Sequence, residues 1–170
     1  MIRCWPLLLA LLLGACSHQA PLPEAAPALD WPLQLHVLRQ QDDQRQDWLL
    51  VVQREDGALR WSLLDPLGIP RARQRLVQQD WQNDGLLPPN PEARELFAAL
   101  LFALTPTEEL AQRYPSVRWT ADDKARQLFD NGQPRWRVAY RAPLDFDLVA
   151  ADGLHYRVTA LPAHERGATP

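Results

Sequence analysis

The sequence predicts an α+β fold in which an antiparallel meander carries one apolar helix laid across it. Three observations lead there. Between residues 33 and 161 most of the chain alternates apolar and polar residues with the period-two repeat of half-buried strands. Asp56-Gly57, Asn131-Gly132 and Asp152-Gly153 separate such runs as hairpin turns do. Between the two alternating halves stands "EARELFAALLFAL" (92–104), whose apolar residues recur at helical spacing instead.

The elements follow in order. Leu33, Leu35 and Val37 share one face of "LQLHVLR". "WLLVVQR" (48–54) is apolar on both faces, which predicts a strand covered on both sides. "LRWSLL" puts Leu59, Trp61 and Leu63 on one side. Asp65-Pro66-Leu67-Gly68 reads as a tight turn, with Pro fixing φ and Gly tolerating φ > 0. "IPRARQRLV" then sets Arg71, Arg73 and Arg75 on a single face. Asn90 is placed to cap the helix, Pro91 suits its first turn, and Glu92 and Glu95 favour its positive end. Leu96, Phe97, Leu100, Leu101 and Leu104 form the helix's apolar stripe, and Thr105-Pro106 stops it. Thr107 is expected to cap a second, shorter helix, "EELAQRY". In the second half Trp136, Val138 and Tyr140 face one way and Arg135 and Arg137 the other. Leu144, Phe146 and Leu148 point inward in the next run, and Leu154, Tyr156 and Val158 in the last. One strongly apolar helix on a sheet with one apolar face makes a layered α+β domain.

The first residues give an address. Met1-Ile2-Arg3 and the apolar run "WPLLLALLLGA" are too short for a transmembrane span, which needs about 20 residues, and read as a secretory signal. Leu13-Gly14-Ala15-Cys16 looks like a bacterial lipobox, which makes Cys16 the lipidated N-terminus of the mature chain. Acyl chains contribute roughly 0.8 kcal/mol per buried CH₂, so several together anchor a protein stably. Ser17, rather than Asp, after the cysteine favours the outer membrane, facing the periplasm. The expected organisation is a signal peptide over 1–15, Cys16 with a Pro/Ala-rich tether over 16–32, one domain over 33–161, and a tail over 162–170.

Several function classes lose support. Removal of the signal takes away Arg3 and leaves a formal charge of −4, not the basic balance that seeks nucleic acid. With Cys4 in the signal and Cys16 acylated, no thiolate remains for a disulfide or a metal site. His18, His36, His155 and His164 show no metal-ligand spacing, so neither metal nor cofactor is implied. Ser62 lacks the flanking glycines of a nucleophile elbow, and Asp42-Asp43 and Asp122-Asp123 read as loop pairs. No catalytic residue is therefore expected, and the protein reads as a non-enzyme. The three arginines on one strand face suit either anionic head groups or a charged strand that resists edge pairing. Periodicity places Trp61, Phe97, Leu100, Trp136, Val138, Phe146 and Tyr156 inside but does not distinguish a solid interior from a hollow one.

"WSLLDPLGIPRARQRL", "LPPNPEARELFAALLFALTP" and "RQLFDNGQPRWRVAYRA…DFDLVAADGLHYRVTAL" resemble proteobacterial lipoproteins of unknown function encoded beside aryl-polyene pigment genes. They are similar, more distantly, to LolB, the outer-membrane lipoprotein receptor, and to its periplasmic partner LolA. The resemblance implies an open antiparallel half-barrel, closed by the helix on its concave side, over a cavity that takes acyl chains. The seven inward residues would then line that cavity. The "PLG" turn matches the LolB loop whose leucine meets the membrane, which would give Leu67, with Ile69 beside it, a membrane or cargo contact. The implied partners are outer-membrane lipid, an acyl-chain or aryl-polyene lipid cargo, and a periplasmic carrier protein. A non-enzymatic scaffold for an envelope export or biosynthesis complex is the alternative.

Overall fold

The protein is described by a computed structural model over residues 19–162; the expected signal peptide, Cys16, His18 and residues 163–170 of the expected tail, His164 among them, lie outside the described residues. Ten strands form one antiparallel sheet. β1 (Leu33–Gln41), β2 (Gln44–Glu55), β3 (Ala58–Leu64), β4 (Pro70–Val77) and β5 (Asp80–Asn83) follow one another as neighbours out to one edge. The second half starts at the opposite edge with β6 (Trp119–Ala121) and returns through β7 (Ala125–Asp130), β8 (Gln133–Ala142) and β9 (Asp145–Ala150). It ends in β10 (His155–Ala160), which pairs with β1 in the middle of the sheet. A chain that leaves at one edge and re-enters at the other must cross a face. α1 (Pro91–Leu104), a 3-10 turn (Thr107–Glu109) and α2 (Leu110–Arg113) make that crossing. The edges β5 and β6 do not pair with each other, so the sheet stays open.

The turns explain the meander. Asp56-Gly57 and Asn131-Gly132 both take positive φ at their two central residues, as two-residue hairpin loops require. The Asp65 turn closes with Gly68 N–H donating to the Asp65 carbonyl at 2.9 Å, Gly68 sitting at φ +80°. At the helix start the Asn90 side chain accepts from Ala93 N–H at 3.1 Å and Pro91 takes the first turn.

The sheet is curled around α1. In a flat sheet β4 and β8 would stand about 29 Å apart, six spacings of about 4.8 Å. Yet Arg94 bonds Gln74 on β4 at 3.3 Å, and its neighbour Glu95 bonds Arg135 on β8 at 2.8 Å. Adjacent residues on one helical turn reach both strands only if the sheet wraps the helix. The inner face then packs as one core: Trp61 stacks on Phe97 with ring centres 5.0 Å apart, and Phe102 lies 6.1 Å from Trp136. Fully burying each such side chain contributes about 1.5–3 kcal/mol.

All but the first turn of α1 is buried all round, so something must cover the side turned away from the sheet. Residues 19–31 provide that cover. Ala20, Leu22, Ala26, Leu29 and Trp31 pack against the core, Pro23 and Pro27 are buried, and Glu24 N–H donates to the Arg113 carbonyl at 2.8 Å. Gln19, Ala20 and Leu22 lie beside Pro91 and Arg94, whereas Leu29 lies beside Ala103 and Leu104, so this strap runs parallel to the helix. The composition of the expected tether concealed these contacts. Over residues 19–31 it is a packed strap rather than a free spacer.

Three local expectations change. Leu49 and Val51 of β2 face outward and are half-buried, shielded by Leu64 and Ser62 across the strand pair instead of by a second layer. The expected short helix after Thr107 splits into the 3-10 turn and one α turn, with no capping bond from a side chain. Arg135, expected on the outer face, reaches the helix, close to a register irregularity at Leu128/Phe129.

Candidate ligand-binding site

At the C-terminal end of α1 the curled sheet stands open. The last carbonyls of a helix have no partner within it. Here Arg126 of β7 supplies one: Nη1 donates to the carbonyls of Phe102 at 3.3 Å, Ala103 at 3.2 Å and Thr105, and Nη2 to Thr107 Oγ1 at 2.7 Å. Arg126 is only 8 % exposed. Its charge is met by the negative end of the helix and, among the described residues, by no carboxylate within ion-pair distance. Its Nε is buried without a hydrogen-bond partner. Tyr140 of β8 completes the anchor, its hydroxyl donating to the Ala103 carbonyl at 2.6 Å and its ring lying 5.2 Å under the Arg126 guanidinium. Burial pushes the Tyr140 phenol up to about 12, against the opposing pull of Arg126.

Beside this anchor lies a cleft of about 740 Å³, within the usual size of small-ligand sites. Leu29 of the strap, Ala103, Leu104, Tyr140, Pro143 and Leu144 give it apolar walls. Arg126, Lys124, Arg141, Asp122 and Asp123 give it a polar margin. Asp122 accepts from Lys124 and Ala125 N–H at 2.8 Å, and these bonds hold its carboxyl below the usual range. Arg141 is tied to Asp147 and, at 3.7 Å, to Asp145. The arrangement suits a molecule with an apolar body and an acidic head.

The other end of α1 is built differently. Glu92 receives Arg39 in a bidentate pair at 2.6 and 3.1 Å, and the Tyr156 hydroxyl at 3.2 Å. Glu95 receives Arg135 in a second pair, both bonds 2.8 Å, and Trp136 Nε1 at 2.7 Å. Hydrogen bonds donated to these glutamates raise the pKa of both arginines. A cleft of about 630 Å³ lies there too, but the arginines on its walls already hold carboxylates.

A family model described as a protein of unknown function, DUF3261, matches residues 32–159, from the start of β1 into β10. The chain belongs to the DUF3261 family. No curated protein matches it. The match spans the curled sheet and its helix and leaves the strap outside.

Within the DUF3261 domain, the seven residues expected to line a cavity are at most 2 % exposed. A side chain beside a void of water size would keep surface that water could touch. Trp61, Phe97, Leu100, Trp136, Val138, Phe146 and Tyr156 keep next to none, and none of them lines either cleft. In this conformation they are a solid core, which corrects the expectation of a hollow there. Leu67 is 85 % and Ile69 55 % exposed, so the leucine stands out from the turn instead of folding back onto the sheet edge. Both backbone N–H groups donate to Asp65 Oδ1 at 2.9 Å, which holds the turn in shape.

The remaining residues singled out by sequence do not converge. His36 bonds Asp47 at 2.7 Å and His155 bonds Gln40 at 2.9 Å, both on the outer face. Arg73 lies 3.6 Å from Asp84, which Arg60 also approaches at 2.9 Å. Cys16 lies outside the described residues. Sequence reasoning missed Arg126. The signal was present: Arg126 shares the inward parity of Leu128, so alternation alone puts a charge on the buried face.

Proposed function

We propose that this protein is a non-enzymatic lipoprotein, anchored through Cys16 at the periplasmic face of the outer membrane, that binds an acidic amphiphile at the open end of its sheet. The apolar body lies between Leu29, Leu104, Tyr140 and Leu144, and the acidic head turns toward Lys124 and Arg126. The observation that carries this reading is the buried Arg126, which has an unpartnered Nε and no carboxylate partner among the described residues, at the wall of an apolar cleft. The finer assignment, a LolA/LolB-like half-barrel handling acyl chains or an aryl-polyene lipid, rests on the lipobox, the curled open sheet and the resemblance of the PLG turn. Leu67 and Ile69 are then the contact with a membrane or with a carrier. Entry of a chain between helix and sheet requires α1 to move.

The test uses a form beginning after Cys16 and a fluorescent fatty acid. The parent takes up the probe, and Leu144→Trp, which fills the cleft, reduces uptake at least tenfold with melting unchanged. No uptake by the parent, or equal uptake by both, contradicts the proposal. The solid interior favours a second reading, a scaffold of an envelope export or biosynthesis complex. In that case the protein recovers protein partners from membranes and takes up no probe.

A further inference from the structure

We infer that the strap and the lipid anchor hold the domain against the membrane by one particular end, with Leu86 seated in the bilayer surface and Leu67 and Ile69 beside it. The inference rests on acylation of Cys16 as proposed above, and adds which part of the domain meets lipid.

The course of the strap sets the geometry. A free tether over residues 17–32 would let the domain sit in any orientation. Residues 19–31 are instead packed down on the protein, and the first of them, Gln19 and Ala20, share a cleft with Pro89, Pro91 and Arg94 at the start of α1 and with Gln79, Asp80 and Trp81 where β4 turns into β5. Only three residue steps separate Gln19 from Cys16, a reach of at most about 11 Å. The acyl chains therefore leave the domain beside the loop that leads into α1.

That loop carries Leu86, which is fully exposed and stands three residues before Pro89. The loop is tied to the start of β4: Asp84 N–H donates to the Arg73 carbonyl at 3.2 Å, and Asn90 Nδ2 to the Arg71 carbonyl at 3.5 Å. The turn bearing Leu67 and Ile69 leads into that same strand. Three of the four large apolar side chains exposed among the described residues thus stand on the end of the sheet from which the anchor emerges. The fourth, Leu161, is elsewhere, after β10. Exposed Arg71 lies between the two apolar loops and suits anionic head groups. Apolar tips, a cation beside them and the exit of a lipid anchor together fit a bilayer.

The experiment uses the full acylated chain reconstituted into vesicles of phosphatidylethanolamine and phosphatidylglycerol. Leu86→Cys, Leu67→Cys and Asp123→Cys, the last on an exposed loop at the opposite end, each receive an environment-sensitive NBD label; the acylated Cys16 offers no competing thiol. The label at 86 is expected to shift to the blue and to be quenched by nitroxide-bearing lipids, the label at 67 to follow, and the label at 123 to stay water-like. Equal quenching at all three sites, or a water-like label at 86, overturns the orientation. The mass of the N-terminal peptide from the same sample separates the two levels. Acyl mass present with uniform labels overturns this inference alone, whereas absence of acyl mass overturns the lipid anchor and this inference with it. All three sites are exposed, and matching melts of the labelled proteins show that position rather than folding is being read.

Discussion

The two ends of α1 are fastened by opposite chemistry. At the N-terminus two glutamates of the helix receive arginines of the sheet, in bidentate pairs that Tyr156 and Trp136 complete. Negative charge there also suits the positive end of the helix. At the C-terminus the charge belongs to the sheet: Arg126 reaches the final carbonyls and meets no carboxylate within ion-pair distance among the described residues. Both ends satisfy the helix, but only one leaves a cation uncompensated by a formal anion. The N-terminal end is a closed clamp. The C-terminal end is a fastening beside an apolar cleft, and in the proposed function an acidic ligand would complement its charge.

That contrast breaks most sharply at Arg126. Arg126→Met leaves several buried carbonyls unpaired and is expected to destabilise by about 3 kcal/mol, lowering the melting temperature by roughly 10 °C and weakening probe uptake. Melting and uptake left as in the parent would show that the C-terminal fastening has been misread. Glu95→Gln keeps the bond from Trp136 but removes the charge facing Arg135, and should lower stability by about 1–2 kcal/mol in denaturant titrations while uptake stays at the parental level. A loss of uptake there would move the binding site to the wrong end.

Tyr140 sharpens the comparison through pH. Its phenol is held up to about 12 by burial, and burial likewise raises those of Tyr114 and Tyr156. Above the unfolded value of about 10 the unfolded chain loses these protons while the folded protein keeps them. Stability is therefore intact below pH 10 and is lost as pH rises through the folded values. Melts across this range should show that fall, and Tyr140→Phe should make it shallower, after a loss of about 1 kcal/mol at neutral pH from the bond to Ala103. The smallest effect belongs to the outer face, where Asp147→Asn loosens Arg141 and Arg157 and should change stability by under about 1 kcal/mol.

The sheet was largely legible in the sequence because its signals are local. The two-residue loops Asp56-Gly57 and Asn131-Gly132 and the Asn90-Pro91 start each act within a few residues and stand where expected; alternation does so for most strand residues, with Arg135 the exception. β5 and β6 escaped, since four and three residues are too few to show alternation. The strap escaped for a different reason. Pro and Ala give no periodic pattern, and the burial of Pro23 and Pro27 depends on contacts with residues distant in sequence, as the bond from Glu24 N–H to the Arg113 carbonyl illustrates. The site divides in the same way. Leu67 and Ile69 were readable from the turn that presents them, while the filling of the interior depends on how Trp61 meets Phe97 and Trp136 meets Phe102 between sheet and helix. The charges that fasten the helix left a trace that parity reveals: Arg39 and Arg126 both fall on the inward face of their strands.

The most direct measurement is where a bound chain lies. A fatty acid carrying a photoactivatable diazirine, irradiated with the protein and mapped by peptide mass spectrometry, should mark residues 103–107, 122–126 and 140–144 around the C-terminal cleft. Adducts on Trp61, Phe97 or Leu100, or no adducts at all, would contradict the account.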